Sequence, residues 1–175
     1  VASSSITGSG PYVWDYSIAG DSSEQLVAGN YATCMGGTPC GTFFTIYDFK
    51  GYVPGSAVAP ANWTVSVMLT GLTPAGQAVT DDPSVVNLVF QYTGVTIASP
   101  GTATTGFDAE SIYNTSTLGG TFSYEAQKIL NLSAPDQGQG PLAVPGPVST
   151  PEPASMSLLA GGLALYCLAR LRSKT

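Results

Sequence analysis

The chain contains no histidine. That single absence removes the usual general base of neutral-pH catalysis and the commonest metal ligand together, and it excludes Ser-His-Asp and Cys-His nucleophiles outright. Charge is nearly as scarce: 9% of the 175 residues are charged, with five Lys and Arg against eleven Asp and Glu. Solubility must therefore rest on hydroxyls and amides, which is unlike an ordinary cytosolic surface. A sustained helical period is missing before residue 154, as is any internal repeat at a fixed spacing, so a helical bundle, a solenoid and a propeller are all excluded.

The few charges are unevenly placed. All eleven acids lie at or before Glu152, accompanied only by Lys50 and Lys128, whereas Arg170, Arg172 and Lys174 close the chain. An acidic body with two lysines repels phosphate backbones, and no nucleic acid partner is expected. Three cysteines are present. Cys34 and Cys40 bracket "CMGGTPC", a glycine- and proline-bearing loop that a disulfide would close in an oxidising compartment, stabilising the fold by roughly 2 kcal/mol. A zinc site there would lack ligands. No cofactor is expected.

What is present is the material of a folded core. Apolar residues make up 43% and aromatics 10%, too many for a disordered chain, and the length suits one domain with appendages. Alternation of period two dominates. "YVWDYSI" (12–18) sets Trp14, Tyr16 and Ile18 against Val13, Asp15 and Ser17. "WTVSVMLT" (63–70) sets Trp63, Val65, Val67 and Leu69 against Thr64, Ser66, Met68 and Thr70. "TFSYEAQKIL" (121–130) sets Phe122, Tyr124 and Ala126 against Thr121, Ser123 and Glu125. Such segments are half-buried strands. Further strands are predicted over 25–31, 41–49, 85–94 and 107–114, with Gly, Pro, Asp and Asn clustered between them. The fold class predicted for residues 1–130 is all-β, an antiparallel β-sandwich of immunoglobulin-like or jelly-roll kind. Residues 131–150, "NLSAPDQGQGPLAVPGPVST", read as a Pro/Gly-rich linker.

From Ala154 to Ala169 the chain carries no charge. As a helix this run would reach about 24 Å, against about 30 Å for a bilayer core, so it spans only with snorkelling arginines and local thinning. Arg170, Arg172 and Lys174 would hold its end on the cytoplasmic side and leave the body outside. The chain opens on Val1 with no charged leader, and an export signal already removed is the expectation that follows.

Pro151-Glu152-Pro153, the short apolar segment with its internal glycines, and the terminal basic residues stand in an order that resembles the PEP-CTERM sorting signal of Gram-negative bacteria. The resemblance covers residues 151–175. It implies recognition of Pro151, Glu152 and Pro153 by an exosortase in the membrane, removal of the hydrophobic helix, and transfer of the body to the cell surface or to an extracellular matrix rich in exopolysaccharide. Prolines on both sides of Glu152 favour the extended backbone a protease cleft needs.

Candidate chemistry in the body is sparse. Asp48, Asp81, Asp82, Asp108 and Glu110 are the carboxylates considered for a glycosidase pair, though turn-making explains "TDDPS" equally well. Asp81 and Asp82 are also the best candidates for a Ca²⁺ staple. Lys50 and Lys128 lie in no recognisable nucleophile motif. Tyr47, Phe49, Tyr52 and Trp63 could form a platform for sugar rings if exposed, or pack in the core. Three Asn-X-Ser/Thr tripeptides begin at Asn62, Asn114 and Asn131. The expectation is an exported, noncatalytic surface or matrix protein, structural or adhesive, whose partners are an exosortase, the cytoplasmic membrane before processing, exopolysaccharide and copies of itself. A carbohydrate-binding module is the alternative, ahead of a carboxylate-dependent hydrolase.

Overall fold

A computed structural model of the chain describes residues 2–29, 41–98, 103–128 and 135–147. Among them run ten strands: β1 (Ala2–Thr7), β2 (Tyr12–Ile18), β3 (Glu24–Leu26), β4 (Phe43–Ile46), β5 (Trp63–Met68), β6 (Asn87–Tyr92), β7 (Ile97–Ala98), β8 (Thr104–Ser111), β9 (Ser116–Lys128) and β10 (Pro135–Pro145). The described residues form no helix, and so none long and apolar enough to cross a membrane. The fold is all-β. The smaller sheet has the order β1-β2-β8; the larger runs β5-β6-β4-β9-β3-β7, with β10 also paired to β9, and every pairing is antiparallel.

Alternation decides which side of each sheet is apolar. Trp14 and Tyr16 of β2 and Phe107 and Ala109 of β8 point the same way and are buried, while Asp15 and Asp108 face outward. They meet Phe44, Ile46, Trp63, Leu88, Phe90 and Tyr92 of the larger sheet in one shared core. Aromatic rings fill its centre: Phe107 lies 4.9 Å from Phe44, 5.1 Å from Trp63 and 5.2 Å from Phe90, each near-perpendicular. Edge-to-face contacts of this kind add to the burial of the rings themselves. On β5 the apolar face outruns the core, so Trp63 is buried whereas Val67 and Leu69 are exposed.

β9 is the spine of the larger sheet. One edge pairs β10 along most of its length; the other pairs β4 at residues 122–125 and β3 at 127–128, so that β4 and β3 lie end to end. This corrects the linker expected over 131–150 and the domain boundary expected at 130, because residues 135–145 are a strand of the same sheet. The physical reason lies opposite. Gly138 and Gly140 stand in register with Tyr124 and Phe122, and a Cβ on Gly138 would meet the Tyr124 ring at 2.7 Å. The glycines leave room for those rings to cover them, which makes up for the missing side chains on β10. Leu142 and Val144 then enter the core. Three prolines are tolerated because, among the described strands, β10 pairs only with β9, so its other edge needs no strand donors there.

Cys34 and Cys40, Pro151, Glu152 and Pro153, the apolar segment after them, and Arg170, Arg172 and Lys174 all lie outside the described residues.

Candidate functional site

Of the four rings open to either a sugar platform or core packing, three are internal. Tyr47, Phe49 and Trp63 are 1%, 0% and 7% exposed, and only Tyr52 is half-buried. Phe49 packs edge-on against Trp14, Tyr16 and Tyr52. Tyr47 points to the outer face of the larger sheet but is roofed by the loop after β5, where its hydroxyl donates to Leu72 O (2.9 Å) and meets Thr73 Oγ1 (2.7 Å) and Ser123 Oγ (2.9 Å). These rings serve packing rather than stacking on a ligand.

The expected calcium candidates are bound up in turn structure. Asp81 accepts from Gly71 N–H (3.1 Å) and from Asn87 Nδ2 (2.9 Å), and Asp82 accepts from the amide and the hydroxyl of Ser84. Asp48 accepts from Asp82 N–H (2.9 Å). Those Ser84 hydrogen bonds, with the charge of Lys50 nearby, hold the exposed Asp82 carboxyl below its ordinary pKa. Among the described residues no group of three or more Asp, Glu, Cys or His side chains could hold a metal ion. Asp108 and Glu110 lie on the outer side of β8 and are not among the residues lining the cavity described next.

A cleft among the described residues lies elsewhere. At one end of the shared core a cavity of about 380 Å³ opens beside the end of β2, β3, the start of β5, β9 and the start of β10. Such a volume is at the small end of ligand sites, about 300 to 1,000 Å³. Its walls include Trp63 and the stacked rings of Phe122 and Tyr124, whose centroids are 6.1 Å apart. Acidic residues from two segments line it: Asp21 and Glu24 of the turn into β3, and Asp136 of β10. Glu125 also lines the cavity, but it accepts a 2.7 Å hydrogen bond from Gln137 Nε2, and by alternation it belongs to the other face of β9.

Glu24 is the pivotal group. It opens β3 after the turn "DSSE", in which Asp21 Oδ1 accepts from Ser23 N–H and both serine hydroxyls while Glu24 Oε2 accepts from Asp21 N–H at 2.7 Å. This reciprocal bracing fixes the Glu24 carboxyl at the mouth of the core, only 8% exposed. Burial, followed by a hydrogen bond to Asp136 and the charges of Asp136 and Asp21, raises its pKa, partly offset by the Asp21 amide. Tyr124 responds likewise, its hydroxyl pushed up by burial and by the charges of Asp136 and Glu24. Lys128 stands opposite Glu24 in the β3–β9 register.

Chemically, this is a buried carboxyl, Glu24, with Asp136 close enough to raise its pKa, beside an aromatic wall. No family model matches the chain, and no curated protein matches it.

Proposed function

We propose that this chain is an exported, noncatalytic protein sorted by an exosortase and displayed at the surface, or in the exopolysaccharide matrix, of a Gram-negative bacterium. In this reading the two sheets pack as a β-sandwich, immunoglobulin-like or jelly-roll, with a structural or adhesive role. The observation that carries it is the order of Pro151-Glu152-Pro153, the uncharged run from Ala154 to Ala169, and Arg170, Arg172 and Lys174. The charge-poor, hydroxyl-rich body supports it. Self-association through strand pairing would use the outer edge of β1, which among the described strands pairs only with β2.

Intact mass measurement on the native exported protein tests this. Loss of the residues beyond Pro151–Pro153, together with two missing hydrogens from Cys34 and Cys40, is the expected result. An untrimmed chain recovered from the cytosol overturns it.

A second reading, contact with carbohydrate, is favoured by a different observation from the one expected. The cleft at Glu24, Tyr124 and Asp136 combines an accessible aromatic wall with hydrogen-bonding carboxyls, the usual composition of a small-molecule site.

A further inference from the structure

We propose that the outer edge of β5 pairs antiparallel with β5 of a second copy of this chain, about a two-fold axis at Ser66, joining the two larger sheets into one. The pairing adds a second edge to the self-association through β1 proposed above, and it does not depend on export or on trimming of the tail.

The backbone sets which groups are open. Asn62 C=O accepts from Thr93 N–H at 2.8 Å, next to the Trp63–Tyr92 position of the β5–β6 register. Tyr92 turns its N–H to Thr42 O (2.9 Å) and its C=O to Gly29 N–H (3.0 Å), on the side away from β5. Hydrogen-bonded positions in an antiparallel pair recur at every second residue, so Thr64 and Ser66 bond to β6. Val65 and Val67 therefore direct their N–H and C=O groups outward, where no described strand lies. Trp63 N–H is already satisfied by Pro60 O at 3.0 Å, and Leu69 O by Asn87 Nδ2 at 3.2 Å.

This edge is complementary to itself. With Ser66 opposite Ser66 of the second copy, Val65 faces Val67 and Val67 faces Val65, so the open groups of each copy meet those of the other. Centring the pair on Val65 or Val67 instead would set an open residue against Trp63 or Leu69, whose groups are partly taken. The Ser66 register also brings Leu69 opposite Trp63 of the second copy. Val67 and Leu69 are 38% and 53% exposed where the apolar face of β5 outruns the core, and the pairing gives both apolar neighbours. Cross-strand contacts of this kind are what stabilise a sheet.

Charge favours a second copy as the occupant. The chain carries a net charge of -6, yet from Gly51 to Thr80 it has no charged residue. Two acidic bodies can therefore meet along β5 without bringing like charges together. The devices that blunt an edge, a lysine, a proline or a bulge, are absent from β5 and its regular register with β6. By contrast, β7 is two residues long and β10 carries Pro135, Pro141 and Pro145. One pair of six-residue strands falls short of the about 800 Å² per partner of a standard interface, so the association is reversible and depends on concentration.

The test uses the full chain, isotope-labelled, in non-ionic detergent, with amide exchange followed residue by residue as protein concentration is raised. The Val65 and Val67 amides should exchange freely at the lowest concentration and slow at least about tenfold at the highest, while Thr64 and Ser66, bonded to β6 throughout, change less. Association through the apolar tail alone leaves Val65 and Val67 unprotected. Val67→Lys puts a charge on the edge and should abolish the slowing. Val67→Pro removes one open N–H without touching the β6 ladder and should do the same. If either variant fails to fold, the concentration series on the unmodified chain decides by itself. Free exchange of Val65 and Val67 at every concentration overturns the pairing, as does slowing that survives in both folded variants. Full protection at the lowest concentration also overturns it, since another segment of the chain then caps the edge. Slowing confined to residues 2–7 overturns the β5 interface and leaves self-association through β1 standing. Export is judged separately, by the intact mass.

Discussion

Asp15 and Asp108 stand directly opposite each other on β2 and β8, both on the outer face of the smaller sheet. Asp108 Oδ1 is buried and has no hydrogen-bond partner among the described residues. Burial first, then the charge and hydrogen bond of Asp15, raise the Asp108 pKa above its ordinary 3.8. A folded-state pKa above the unfolded one means the native state binds the proton more strongly. Stability is therefore lost as pH rises from the unfolded value through the raised one.

Asp108→Asn removes that loss. The variant should match the parent at about pH 3, where both forms are uncharged at this position, and exceed it near neutrality by a few tenths to about 1 kcal/mol, the scale of a cross-strand pair. Thermal melting across that pH range is the measurement. A variant less stable at neutral pH would show that the charged form of Asp108 has a stabilising partner.

Phe107 is the ring through which the smaller sheet enters the aromatic centre of the larger, touching Phe44, Trp63 and Phe90. Phe107→Ala should cost about 3 to 5 kcal/mol, a large share of the about 5 to 15 kcal/mol available to a domain. Phe107→Leu, which keeps most of the volume, should cost less than about 1.5 kcal/mol. Urea midpoints at constant slope separate the two.

Strands with a clean division of faces are legible in the sequence: β2, β5 and β9 fall where alternation places them. β1 and β10 were not, each for its own reason. "ASSSIT" carries too few apolar residues to show a period, and it pairs only because β2 offers an edge. "PDQGQGPLAVP" hides its alternation behind glycines whose apolar cover comes from Phe122 and Tyr124 on another strand. The cleft was illegible for the same reason. Glu24 sits in a turn sequence and Asp136 in what reads as a linker, and only the two edges of β9 bring them together. Asp81 and Asp82, the carboxylates that stand out in the sequence, brace a loop. A sharper signal was available in Glu24 itself, a lone acid opening an apolar strand just after an Asp-Ser-Ser turn.

Tyr47→Phe separates packing from ligand contact. The hydroxyl bridges Leu72, Thr73 and Ser123 beneath the loop after β5, and removing it loses those hydrogen bonds while Leu72 O keeps Thr45 Oγ1 as a donor at 2.6 Å. The expected cost is about 0.5 to 1.5 kcal/mol. Because the ring is 1% exposed, binding of any saccharide by the folded variant should be unchanged. Denaturation together with a saccharide titration checks both halves.

Gly120 tests whether β10 belongs to the folded body. It lies opposite Leu142 at the point where the β9–β10 register shifts, so that Val144 pairs with Thr117. A Cβ at Gly120 would sit 2.5 Å from the Leu142 carbonyl oxygen and 2.5 and 2.7 Å from the two Val144 methyls. The oxygen belongs to the backbone and Val144 is fully buried, so neither can swing aside; β10 must shift bodily. Gly120→Ala should therefore destabilise by about 1 to 3 kcal/mol, the cost of overpacking a filled site, and should raise amide exchange along residues 135–145 more than in β1 and β2. If 135–145 were a linker, the added methyl would meet nothing, and both the melting curve and the exchange pattern would match the parent.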